Sequence, residues 1–360
     1  MFYHILYSLH DVFSPFNVFR YITFRAALSV ITALAIVIFT GPKIIQWLRV
    51  LKFGQQIRDD GPKTHLTKAG TPTMGGILVI GSIVITVLLW GNLTNKYIWI
   101  MLFAIVSFGI VGFFDDYLKI SRKNSKGLIA RYKFGFQILF SLIIGLILFF
   151  NPSDPYNTQL IVPFFKSLLF DLGLFYIPFC ILVIVGSSNA VNLTDGVDGL
   201  AIGLVGIAAF ANGMMVYISG HSGLAQYLQV IHIKDIGELT VFCGAILGAS
   251  LGFLWFNTYP ADVFMGDVGS LGLGGALGTL AAITKQELLL IVVGGIFVIE
   301  TISVILQVAS YKMTKRRIFR MAPLHHHFEL KGWAEPKTVI RFWIVGIILA
   351  LLSLATLKVR

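Results

Sequence analysis

Residues 97–119 read YIWIMLFAIVSFGIVGFFDDYLK. From Tyr97 to Phe114 no side chain is charged, and then Asp115, Asp116 and Lys119 arrive together. A helix rises ~1.5 Å per residue, so roughly 20 such residues cross a hydrocarbon layer about 30 Å thick. The stretch therefore predicts a membrane-spanning helix that delivers two carboxylates to water at its end. The same arrangement recurs further along. Asp195 and Asp198 close the apolar run that starts near Leu172, and Asp267, in Met265-Gly266-Asp267-Val268-Gly269-Ser270, precedes the run from Val268. Comparable runs begin near Tyr21, Met74, Tyr97, Phe134, Leu172, Leu200, Glu238, Val268, Leu288 and Val339. The expected fold is an all-α polytopic membrane protein of about ten transmembrane helices. Residues 1–360 form one helical bundle with no second domain.

Composition agrees. Hydrophobic residues make up 56% of the chain and charged ones 12%, with a mean hydropathy of +0.84, whereas soluble domains carry about twice that charge. The net charge of +11 raises the question of nucleic acid. The basic residues, however, sit between spans and not on a soluble domain, so no nucleic-acid partner is expected and lipid head groups account for them. Six (Lys43, Arg49, Lys52, Arg58, Lys63, Lys68) fall between spans one and two. Another six (Lys119, Arg122, Lys123, Lys126, Arg131, Lys133) fall between three and four, and seven (Lys312, Lys315, Arg316, Arg317, Arg320, Lys331, Lys337) between nine and ten. With ten spans these loops share one side, and the positive-inside rule makes that side the cytoplasm. Both termini are then periplasmic, and the acidic motifs face the cytoplasm. Cys180 and Cys243 lie inside apolar runs and are expected to be buried thiols. The aromatic stretch Met1 to Phe19 lacks a basic residue and a cleavage pattern, so it is read as an interfacial anchor and not a signal peptide.

Spans that start at the cytoplasmic face present unpaired N–H groups and a positive dipole end there, which suits anions. Thr71-Pro72-Thr73-Met74-Gly75-Gly76 reads as a hydroxyl capper with a first-turn proline. Asn192-Leu193-Thr194-Asp195-Gly196 and Gly266-Asp267-Val268-Gly269-Ser270 are expected to open the sixth and eighth spans in the same way. Span nine, Leu288 to about Tyr311, is long and contains Gly294-Gly295, so a tilt or break is expected. Opening there would leave an apolar groove for a lipid tail.

Each motif has a plainer reading beside the chemical one. In Asp115-Asp116-Tyr117-Leu118-Lys119 the lysine stands four and three residues from the carboxylates, within reach of either on a helix. The alternative is an ordinary charged helix end. Asn189 to Gly199 packs two amides, two carboxylates and flexible glycines into a segment with no basic residue, which suits a sugar or uracil edge, or a solvated loop. Asp267 between Gly266 and Gly269 is either a ligand to metal and phosphate or a simple helix cap. Hard oxygen donors without nearby cysteine favour magnesium over zinc. His325-His326-His327 cannot all reach one ion. A solvated basic loop is one reading, and contact with diphosphate beside Arg316, Arg317 and Arg320 is the other. Glu300 falls mid-span and is expected to pair with a polar neighbour, without a catalytic role.

Taken together, Gly70 to Gly76, Asp115 to Lys119, Gly127 to Lys133, Asn189 to Leu200, Phe253 to Ser270 and Arg320 to Gly332 resemble the polyprenyl-phosphate N-acetylhexosamine-1-phosphate transferase superfamily. The segment Met321 to Leu330 separates this branch from relatives that transfer N-acetylglucosamine-1-phosphate. The resemblance implies a bacterial inner-membrane enzyme whose substrates are UDP-N-acetylmuramoyl-pentapeptide and undecaprenyl phosphate and whose cofactor is Mg2+. It implies Asp267 as leading metal ligand, with Asp115 and Asp116 serving metal and lipid phosphate. Asn192, Asp195, Asp198 and Phe264 belong near the nucleoside, and Lys68, Thr73, Lys119, Lys133 and His326 complete the pocket, with His325 and His327 binding substrate. The sequence is compatible with a homodimer. The competing readings are a relative using another UDP-N-acetylhexosamine and, from a different class, a cation-coupled transporter.

Overall fold

The computed structural model of the chain describes residues 1–51, 70–122, 127–152, 156–163 and 169–359. Lys68 lies outside them. In chain order the helices are α1 (Phe2–Ser8), α2 (Ile22–Val50), α3 (Gly76–Trp90), α4 (Lys96–Ser121) and α5 (Ala130–Phe150). A short antiparallel hairpin follows, β1 (Gln159–Ile161) and β2 (Leu169–Asp171), with Gln159 opposite Asp171. Then come α6 (Tyr176–Thr194), α7 (Leu200–Gly220), α8 (Ser222–Leu228), α9 (Leu239–Asn257), α10 (Gly266–Thr284), α11 (Glu287–Val293), α12 (Gly295–Thr314), α13 (Leu324–Glu329) and α14 (Glu335–Val359).

Among the described residues nine helices are long and apolar enough to cross a membrane, and α3 is a shorter apolar helix of 15 residues. Each run read from the sequence has become a helix, and span nine is broken. α11 ends at Val293, Gly294 leaves helical geometry at φ −91 and ψ 21, and α12 starts afresh at Gly295.

Two expected helix starts are different. The Thr71–Gly76 motif does not cap α3, which begins at Gly76 with Gly75 before it. The reason lies in the backbone: Gly75 N–H donates to Phe264 O and Gly76 N–H to Met265 O, both at 2.8 Å, while Phe264 N–H donates to Pro72 O at 2.8 Å. Those bonds tie the motif to a neighbouring segment, and with Met74 at φ +72 the chain turns into the helix only at Gly75 and Gly76. Asn192 and Thr194, likewise, lie in the last turn of α6 and do not open α7, which starts at Leu200 after Gly199.

Helix α10 is the centre of the bundle, buried at every position from Val268 to Thr284. Without a hydrophobic drive inside lipid, helices associate by close backbone approach, for which small residues serve. Two such approaches set the site. A Cβ on Gly112 of α4 would fall 2.1 Å from the Asp267 carbonyl oxygen, and one on Gly76 of α3 would fall 2.1 Å from Gly269 N. Only glycine permits α3 and α4 to touch the first turn of α10.

At the far end of the bundle, Arg25 of α2 is buried against Glu238 in a two-pronged ion pair and donates to Trp90 O at 3.0 Å. Asn92 N–H donates to the same carboxylate at 2.7 Å. These bonds engage both terminal guanidinium nitrogens and both carboxylate oxygens of a charge pair that would be costly if left bare. Cys180 and Cys243 are free and buried, as expected.

Candidate active site

The last turn of α4 and the first turn of α10 carry the cluster. Asp115 and Asp116 are buried, and their carboxylate oxygens and those of Asp267 come within 4.8 Å of one another. Lys119 Nζ lies 2.5 Å from Asp115 Oδ2, 3.4 Å from Asp116 Oδ1 and 2.9 Å from Asp267 Oδ2. The spacing of four and three along the helix therefore works as read. Lys133, from the first turn of α5, puts its Nζ 2.6 Å from Asp267 Oδ2 and 3.6 Å from Asp115 Oδ2. Backbone donors fix the carboxylates: Leu128 N–H to Asp115 Oδ1 at 2.9 Å and Val268 N–H to Asp116 Oδ2 at 3.2 Å.

The end of α6 closes one side. Asn192 Nδ2 donates to Asp267 Oδ1 and to Ser270 Oγ, each at 2.8 Å. Ser270 Oγ in turn donates to Gly266 O at 2.9 Å. Asp195, just past α6, accepts from the Gly266 backbone, yet burial and then the negative charges of Asp267 and Asp116 push its pKa up to about 8. Thr73 is buried beside Gly266, where an added Cβ would meet its Oγ1 at 3.0 Å. Gly266 itself has φ +73, which glycine adopts without strain.

The structure brings together Thr73, Asp115, Asp116, Lys119, Lys133, Asn192, Asp195 and Asp267, while Phe264 lies two residues before Gly266 with its backbone paired to Pro72 and Gly75. Asp198 stands apart from the carboxylate cluster. Its Oδ2 accepts from Ala261 N–H at 3.1 Å, and its own N–H donates to Glu335 Oε1 at 2.8 Å.

The three histidines separate. His325 is fully buried against Glu300, so direct contact of its ring with diphosphate is not what this fold offers. Glu300 has thus found its polar neighbour. His326 Nδ1 lies 2.7 Å from Glu329 Oε2. His327 Nδ1 accepts from Arg320 N–H at 3.0 Å, and burial, with Lys331 and Arg320 nearby, lowers its pKa. Ser270 and Glu329 were not among the residues read from the sequence. Ser270 stands three positions after Asp267 on one helix face, a spacing that could have pointed to it.

Three carboxylates facing two ammonium groups leave one net negative charge in a pocket built only of hard donors. A small divalent cation with bonds near 2.1 Å spans opposite oxygens about 4 Å apart, so the donor set fits such an ion with a small adjustment. The two lysines are suited to phosphate oxygens. The arrangement can therefore hold a hard cation and two anionic groups side by side.

Comparison with known proteins meets this geometry. The family model described as glycosyl transferase family 4 matches residues 98–285, which contain every member of the carboxylate and lysine cluster. The model described as phospho-N-acetylmuramoyl-pentapeptide-transferase signature 1 matches residues 68–80, which take in the lead to α3 and its first turn. A phospho-N-acetylmuramoyl-pentapeptide-transferase from Thermodesulfovibrio yellowstonii (strain ATCC 51303 / DSM 11347 / YP87) is 63% identical over 361 residues, covering 100% of both chains. The chain belongs to glycosyl transferase family 4 and, within it, groups with the phospho-N-acetylmuramoyl-pentapeptide-transferases.

Proposed function

We propose that this chain transfers phospho-N-acetylmuramoyl-pentapeptide from its UDP donor to undecaprenyl phosphate, releasing UMP and forming lipid I at the cytoplasmic face of the bacterial inner membrane. The observation that carries the reading is the meeting of Asp115, Asp116, Asp267, Lys119 and Lys133 at one end of an apolar bundle. A full-length relative bearing that transferase name supports the choice of substrates.

The chemistry asks little of a base. A phosphate monoester has its second pKa near 6, so the acceptor oxygen is already ionised at neutral pH. That oxygen forms a bond to the β-phosphorus, the bond to the bridging oxygen breaks, and UMP leaves with the electron pair. The difficulty is bringing two anions together, and positive charge in a water-poor site is the remedy. Lys119 and Lys133 supply two ammonium groups in contact with the cluster. Asp267 and Asp116, with Asp115, would hold magnesium, which when bound adds charge that screens the phosphates. Asn192 orients Asp267, while Asp195 and Phe264 form the side toward the nucleoside.

An acceptor that is already ionised favours direct transfer over a phospho-aspartate intermediate on Asp115 or Asp116. Incubating purified protein with labelled donor and no lipid acceptor tests this. Label retained covalently on Asp115 or Asp116 would reverse the order of events. The substrate assignment is tested by product formation with the pentapeptide donor against UDP-N-acetylglucosamine, where preference for the latter overturns it.

A further inference from the structure

Glu300 is the only carboxylate of α12 and is wholly buried. Its Oε1 accepts the backbone N–H of His325 at 3.2 Å and lies 3.3 Å from the Nδ1 of the same residue. Its Oε2 and both ring nitrogens of His325 are buried without a hydrogen-bond partner. Orphans of this kind are rare and call for an explanation. On its other edge the imidazole presses into the chain at Gly196, where an added Cβ would fall 2.3 Å from Nε2. Gly196 sits between Asp195 and Asp198, in the turn that follows α6.

Helix α13 carries all three histidines and gets no side-chain cap from Pro323. First-turn N–H groups need acceptors, and Glu300 supplies one from a different helix. Stability alone does not explain a carboxylate here. A neutral amide would accept the same N–H without desolvating a charge.

We infer that Glu300 is a positioning residue for the transfer reaction: its carboxylate caps α13 and sets the His325 ring against Gly196, fixing the spacing between the histidine helix and the turn that carries Asp195. The inference rests on the reading proposed above. It also gives His325 and His326 different tasks, the first bracing the nucleoside-side turn and the second held by Glu329 on the next turn face.

The test uses the purified full-length protein with the pentapeptide donor and undecaprenyl phosphate. Wild-type turnover with this donor tests the proposed function, and the ratio of variant to wild type tests Glu300. Glu300→Leu should insert with a melting temperature somewhat below wild type, since the His325 N–H loses its acceptor, while losing about 10-fold or more in kcat/KM, mostly through donor KM. Glu300→Gln keeps an oxygen acceptor for the His325 N–H and should stay within roughly 3-fold of wild type. Because the effect passes through His325, Glu300→Leu combined with His325→Ala should be no slower than His325→Ala alone. Wild-type kcat/KM in Glu300→Leu, or fully additive losses in the double variant, would overturn the inference. If Glu300→Leu does not reach the membrane, a loss greater than about 10-fold in Glu300→Gln overturns it instead.

Discussion

At the scale of single residues, Asp267 is the acid on which the other contacts converge. Lys119, Lys133 and Asn192 all reach its carboxylate. Asp267→Asn removes the charge while keeping the shape, and should lower kcat by about 1000-fold or more, as loss of a key charge-stabilising group does, with membrane insertion unchanged. Near-normal turnover in that variant would break the assignment. Asp195 makes a different prediction. Its pKa near 8 stands above the ordinary 3.8, so the folded state favours the protonated form. The stabilising contribution is complete below pH 3.8 and is lost as pH rises toward about 8. In chelator, the melting temperature of wild type should therefore fall more between pH 5 and 8.5 than that of Asp195→Asn, and parallel curves would reject this. Asp115, Asp116 and Asp267 were legible because each stands at the edge of an uncharged run, where a carboxylate needs a reason. The Glu300 and His325 pairing was not, since 25 residues separate them and periodicity carries no information about contacts between helices. His325 shows the same limit from the other side: three adjacent histidines look alike in sequence, and only packing sends one of them into the core.

At the scale of helices, the geometry of the site depends on how closely α4 can lie along α10. Gly112→Ala adds a methyl 2.1 Å from the Asp267 carbonyl, a separation no real side chain tolerates. The helices must part by an ångström or more, moving Asp115 and Asp116 away from Asp267. A shift of that size costs about 100-fold in rate, and Gly112→Ala should show it together with a lower melting temperature. Full activity would mean that the carboxylates tolerate a looser fit. The break in span nine is also an element-scale property. α11 and the first turns of α12 cover about 20 Å to Glu300 at ~1.5 Å per residue, yet 14 further residues of α12 follow, mostly exposed. That stretch leaves Ile302, Ile305, Leu306 and Val308 exposed, as residues facing lipid would be. The glycine pair and the length of the run foretold the break. The true starts of α3 and α7 escaped because capping signals say where a helix is able to begin, while the Phe264 and Met265 backbone decides where α3 does.

For the molecule as a whole, the direction of each helix decides which side does the chemistry. α4 and α6 end at the carboxylate cluster, whereas α3, α5 and α10 begin near it, so helices of opposite sense alternate about one face. The N-terminus marks the other end, since the Met1 ammonium donates to Leu89 O at 3.2 Å at the close of α3. Among the described residues most of the lysine and arginine lie toward the cluster end, and the positive-inside rule would assign that end to the cytoplasm. Binding a nucleotide donor made inside the cell requires the same orientation, so charge and chemistry agree. Single cysteines test it directly, in a background where the buried Cys180 and Cys243 are replaced by alanine. A cysteine at Thr158, in the hairpin region at the far end, should react with a membrane-impermeant maleimide added to intact cells. One at Arg316, beyond α12, should react only after the membrane is opened. Reversed labelling would place the cluster in the periplasm, where no UDP-sugar is available to it, and the proposed transfer would have to be abandoned.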